Sequence, residues 1–171
     1  MLELKGIIFE DFINYKKPSM VLEFPYCSFK CGSEWCQNYL LSQIPPIIVD
    51  NNTIIERYLS NPITEAIVMQ GLEPFDSAEN LFYFINDFRQ QSDDDIVIYT
   101  GYEPDEILVY LLSLTHFKNI IIKFGRYIPN DESYFNELLG VTLASKNQYA
   151  KRIEDIDFSQ FFLYNEEKGD K

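Results

Sequence analysis

The chain has 171 residues, 46% of them apolar and 16% aromatic, which is ample for the core of a single domain. Its formal charge of −13 and scattered basic residues exclude a sequence-independent grip on nucleic acid, because that grip comes from Lys and Arg against phosphates. The sequence has no apolar run near the roughly 18 residues that span a bilayer and no secretory pattern at its N-terminus, so no membrane partner and a cytoplasmic location are expected.

In chain order, Leu4 to Phe9 and Met20 to Phe24 read as strands, and the second runs straight into Pro25-Tyr26-Cys27, so a cysteine loop begins at a strand's C-terminal end. Thr53 to Leu59 predicts a short helix. The run Ala66 to Met69 predicts a buried strand that closes at Gly71-Leu72-Glu73-Pro74. Asp76 and Glu79 have capping-box spacing and open a helix with Leu81, Phe84, Ile85 and Phe88 on one face. Ile96 to Tyr99 is the next strand, closed by Thr100-Gly101. Pro104 suits the first turn of a helix bearing Ile107, Leu108, Leu111 and Leu112, and Asn119 to Lys123 is a further strand before Gly125. Asp93, Asp94 and Asp95 read as a solvated turn, and His116 as a helix-end residue. Alternating strand and helix patterns predict an α/β fold with a largely parallel sheet, whose strand-end loops are where ligands gather. One domain is expected over residues 1–164, with a charged C-terminal tail at 165–171.

The three cysteines, Cys27, Cys31 and Cys36, fall within ten residues. An odd number so closely spaced does not make a self-contained disulfide framework, which points to a reducing compartment. Thiolates are soft ligands for zinc, copper(I) and iron–sulfur clusters. Structural zinc ordinarily takes a fourth protein ligand, and the only histidine lies far along the chain. Three thiolates without a fourth leave one iron of a cubane open to a substrate. Free thiols are often simply buried small residues, but a polar loop beside Gly32 is poor material for a core.

These residues resemble the radical S-adenosylmethionine enzymes, and within them the activating protein of anaerobic ribonucleoside-triphosphate reductase and related glycyl-radical activases. The family's C-x3-C-x2-C signature, with an aromatic residue before the last cysteine, is matched by Cys27, Cys31, Trp35 and Cys36. Its Gly-Gly-Glu/Asp-Pro segment resembles Gly71-Leu72-Glu73-Pro74. Tyr99-Thr100-Gly101-Tyr102, Gly125-Arg126-Tyr127 and Ser145-Lys146-Asn147-Gln148 resemble later landmarks in the same order. The last cysteine interval is two residues longer than in the family, and Leu72 stands where a second glycine is usual.

The resemblance implies a small incomplete α/β barrel that binds a [4Fe–4S] cluster and S-adenosylmethionine. Such an oxidoreductase takes an electron from a flavodoxin- or ferredoxin-type reductant and makes a 5′-deoxyadenosyl radical under anaerobic conditions. Its partner is a glycyl-radical enzyme. Cys27, Cys31 and Cys36 are then the iron ligands; Trp35 and Gln37 flank the adenine and the cluster edge. Gly71 and Glu73 face the methionyl ammonium, Thr100 and Gly101 line the nucleoside pocket, and Lys123 faces a carboxylate or ribose. The alternatives are an iron–sulfur electron carrier or redox-sensing module, and a structural zinc protein.

Overall fold

Near-continuous apolar runs suit strands buried on both faces, and four such runs form the centre of the sheet in the computed structural model, which describes residues 1–163. The charged segment expected at 165–171 lies outside the described residues. The four are β3 (Ser19–Phe24), β5 (Ala66–Gly71), β6 (Asp95–Tyr99) and β7 (Ile120–Phe124), paired in parallel in that order. An antiparallel strand closes each edge: β2 (Gly6–Asp11) on β3, and β10 (Tyr149–Arg152) on β7. The α/β class therefore stands, but the six-stranded sheet is mixed rather than largely parallel. Its outermost segments, β2 and β10, run back along their neighbours without a crossover helix between β2 and β3.

Parallel neighbours need crossovers, and the helices supply them. After β3 come α1 (Tyr39–Ser42) and α2 (Asn51–Leu59), after β5 comes α3 (Ala78–Arg89), and after β6 comes α4 (Leu108–Leu114). Every step moves in the same direction across the sheet, so right-handed crossovers put these helices on one face. The alternation of the strands agrees. Met20, Leu22, Ile67, Met69, Ile96, Ile98, Ile120 and Ile122 pack with the helices' Ile55, Leu81, Phe84, Phe88 and Leu111. The intervening Val21, Val68, Val97 and Ile121 face a smaller core with Tyr15, Leu139 and Leu143. That second face is covered by the segment after β2 and by a hairpin of β8 (Tyr134–Asn136) and β9 (Val141–Leu143).

Several boundaries depart from the sequence reading for local reasons. The expected strand Leu4 to Phe9 is two strands with different partners: β1 (Leu2–Leu4) pairs with β4 (Ile47–Val49), and β2 pairs with β3. Asp50 caps α2 by accepting the Thr53 N–H at 3.2 Å, so this helix starts ahead of Thr53. Asp76 does not cap α3; it sits in a 3₁₀ turn, Pro74–Ser77, and its carboxylate is used elsewhere. Pro104 likewise opens a 3₁₀ turn, Pro104–Ile107, before α4. The three-aspartate run is not a solvated turn throughout. Asp95 is buried, accepts the Tyr15 hydroxyl at 2.9 Å and pairs with Lys17 at 2.6 Å, while Asp94 accepts the Tyr58 hydroxyl at 2.8 Å. Their partners come from distant positions, which local charge patterning does not register. The last helix among the described residues, α5, spans Ser159–Leu163. Among the described residues no helix is long and apolar enough to cross a membrane.

Candidate functional site

At the C-terminal ends of the parallel strands the loops leave a cavity of about 590 Å³. It is built from the end of β5 outward. Gly71 closes that strand at φ 97°, where an added Cβ would come within 2.8 Å of the backbone of Glu23 and Phe24. Only glycine lets β5 finish this close to β3. Beyond the strands the pairing continues: Leu72 N–H donates to the Phe24 carbonyl at 3.1 Å, and Glu73 N–H to the Tyr26 carbonyl at 2.7 Å. This zips Glu73 against the start of the cysteine loop.

The loop then turns on itself. Phe29 adopts φ 51° and its N–H points at Cys27 Sγ, 3.2 Å away. Gly32 N–H closes a turn on the Phe29 carbonyl at 2.9 Å, and Ser33–Trp35 form a 3₁₀ turn that leads to Cys36. All three thiols are free, partly buried, and line the cavity. Burial pushes Cys27 up to about 11, with Glu73 and Asp76 adding to the shift. Cys31 is raised too, by burial first and then by Cys36. Such thiols are weak nucleophiles at neutral pH, and their thiolates form when a cation displaces the proton.

The same cavity is lined by two buried ionisable groups of opposite sign. Glu73, 5% exposed, accepts three hydrogen bonds: from Thr100 Oγ1 at 2.8 Å and Phe75 N at 3.2 Å on one oxygen, and from Gly101 N at 2.9 Å on the other. Burial nevertheless raises its carboxyl to about 7, against the pull of those donors. Lys123, 7% exposed at the end of β7, donates to the Gly125 carbonyl at 2.9 Å, and burial lowers its ammonium to about 8. Gly125, at φ 92°, is a second position where a Cβ would collide, here with the Asn147 carbonyl oxygen at 2.8 Å.

Of the residues singled out in the sequence, Cys27, Cys31, Cys36, Gln37, Gly71, Glu73, Thr100, Gly101 and Lys123 all reach this cavity. Trp35 does not: it is 55% exposed and points neither into the cavity nor into the core. Sequence reasoning passed over Asn38, whose side-chain amide donates to the Gly71 carbonyl, read Asp76 only as a helix cap, and gave no role to Tyr102, Glu106 or Arg126. Tyr102 and Arg126 sit in landmark strings already noted, but nothing in one dimension says that they meet.

Comparison with known proteins returns no matching family model, no similar curated protein and no matching solved structure.

Among the described residues, no three His, Cys, Asp or Glu side chains are grouped closely enough to hold one metal ion. A single ion draws its ligands to one point. Thiolates are the ordinary ligands of iron–sulfur clusters, and the three thiols line one cavity, with Cys31 and Cys36 close enough to interact. The donor chemistry fits such a group in kind: three free thiols from one loop line the cavity.

Proposed function

We propose that this chain is a radical S-adenosylmethionine enzyme, holding a [4Fe–4S] cluster on Cys27, Cys31 and Cys36 and activating a glycyl-radical enzyme such as anaerobic ribonucleotide reductase. One observation carries the reading: three thiols of a single strand-end loop share a cavity with buried Glu73 and Lys123. When bound, the cluster supplies the single electron that breaks a C–S bond of the sulfonium.

The chain's own residues bind and orient. The Cys27, Cys31 and Cys36 sulfurs, deprotonated on metal binding, would hold the cluster, which would supply iron for the ligand's amine and carboxylate. Glu73, its carboxylate fixed by three donors, sets a negative charge toward the methionyl ammonium. The Gly71 carbonyl, already taking Asn38, has a second lone pair for the same group. Thr100 and Gly101 line the nucleoside side, Gln37 the cluster edge, and Lys123 answers a carboxylate or ribose oxygen. The one-directional run β3-β5-β6-β7, with its helices on one face, is in this reading a reduced form of a small incomplete barrel. A reducing cytoplasm and a flavodoxin- or ferredoxin-type donor complete the setting.

Anaerobic reconstitution with iron and sulfide, reduction, and addition of S-adenosylmethionine are expected to yield 5′-deoxyadenosine, and Cys36→Ala to lose the cluster. A cluster without deoxyadenosine makes the protein an electron carrier or redox-sensing module. Stoichiometric zinc with no visible chromophore makes it a structural zinc protein. Full iron content and activity in Cys36→Ala would overturn the ligand assignment.

A further inference from the structure

Loops from all four parallel strands meet at one aromatic ring beside the cysteines. Tyr102, 8% exposed, follows β6; its N–H donates to Thr100 Oγ1 at 3.0 Å and its carbonyl accepts Gly125 N–H at 3.3 Å, so the ring starts from a fixed backbone. The hydroxyl lies 2.6 Å from Asp76 Oδ1, beyond β5, and 3.0 Å from Ser28 Oγ in the cysteine loop. Ser28 is held a second time, its N–H donating to Asp76 Oδ2 at 2.5 Å. Two cations approach the same ring: Lys30 Nζ at 4.5 Å from the centroid and the Arg126 guanidinium, beyond β7, at 5.6 Å. Both end on Glu106, Lys30 at 3.4 Å and one Arg126 nitrogen at 2.6 and 2.7 Å from its two oxygens. Ser28 and Lys30 both lie between Cys27 and Cys31.

We infer that Tyr102 is a positioning residue that fastens the Cys27–Cys31 segment to the strand-end platform, through Ser28 and Asp76 at its hydroxyl and Lys30 at its face. The inference rests on the cluster reading for its functional meaning, but the fastening itself is a property of the metal-free chain. Apart from the loop's own turns, the hydrogen bonds and ion pair of this segment among the described residues run to Asp76, Tyr102 and Glu106, with the Phe29 ring tilted against Tyr39 at 6.1 Å and the Cys31 thiol beside Cys36. Burial and Asp76 raise the Tyr102 phenol to about 12, so it remains a hydrogen-bond donor at any working pH. Cys36, beyond the Ser33–Trp35 turn, makes none of these fastening contacts itself and meets the segment through the Cys31 thiol, so its response is expected to be the smallest of the three.

The test compares wild type with Tyr102→Phe, which removes only the hydroxyl, and Lys30→Met, which keeps the stem and removes the charge. In metal-free protein, iodoacetamide labelling of each thiol is followed by mass spectrometry. Cys27 and Cys31 are expected to react about tenfold faster in Tyr102→Phe, the effect of one lost charge-assisted hydrogen bond, with a smaller change at Cys36. Equal rates at all three thiols, or an equal rise at all three, would overturn the inference, whatever the cluster does. In reconstituted protein, the variants are expected to keep their iron but to show an altered electron paramagnetic resonance signal on adding S-adenosylmethionine. A wild type that makes no deoxyadenosine sinks the proposed function and leaves the labelling result standing. Active variants with spectra identical to wild type sink the positioning role alone.

Discussion

A carboxylate with three donors normally titrates low, so the elevation of Glu73 measures how strongly burial opposes its charge. Its folded value of about 7 stands above the ordinary 4.5, so the folded chain binds the proton more tightly than the unfolded chain. Stability from this group is therefore full below about 4.5, declines as pH rises toward about 7, and stays level above that. Urea unfolding at stepped pH should show wild type losing roughly 2–3 kcal/mol across that window relative to Glu73→Gln, and a flat difference curve would refute it. The charge itself was legible in the sequence, since an acidic residue at the end of an apolar strand invites notice. Its three donors were not, because Thr100 and Gly101 arrive from the neighbouring strand's loop. Asp95 teaches the same lesson: its partners Tyr15 and Lys17 precede it by nearly half the chain.

Among the elements, β5 illustrates how a strand's last residue decides what a loop can do. Gly71 needs a positive φ and has backbone at 2.8 Å where a side chain would stand. Gly71→Ala should lose about 1–3 kcal/mol from backbone strain alone, with the collision adding to it, and the loosened end should open the Leu72–Phe24 and Glu73–Tyr26 bonds. Urea unfolding and hydrogen exchange at residues 72 and 73 check this; a loss under about 0.5 kcal/mol with unchanged exchange would contradict it. Strand and helix identity along this part of the chain followed from periodicity, as Leu81, Phe84, Ile85 and Phe88 on one face of α3 show. Boundaries did not. Asp76 has the spacing of a helix cap yet serves Ser28 and Tyr102, because a tertiary donor competes for the same oxygens.

For the whole molecule, a charge of −13 spread over 171 residues means that folding gathers like charges into a smaller volume. Salt screens that repulsion, with a Debye length falling from about 30 Å at 0.01 M to about 3 Å at 1 M. Raising sodium chloride across this range should raise Tm by about 2–4 °C for each kcal/mol of repulsion relieved, and a falling Tm in calorimetry would show that ion pairs such as the five among the described residues outweigh it. The chain's apolar spacing by itself determined the α/β class, the position along the chain of the buried strands and the attachment of the cysteine loop to the end of β3, because hydrophobic periodicity is a local property read along one dimension. Only the tertiary structure decided that β2 and β10 run antiparallel at the edges, that Trp35 stays outside the cavity, and that Asp76, Glu106 and Arg126 gather around Tyr102. Those outcomes depend on which loop tips come together once the strands have paired, and such pairing distances leave no periodic mark in a sequence.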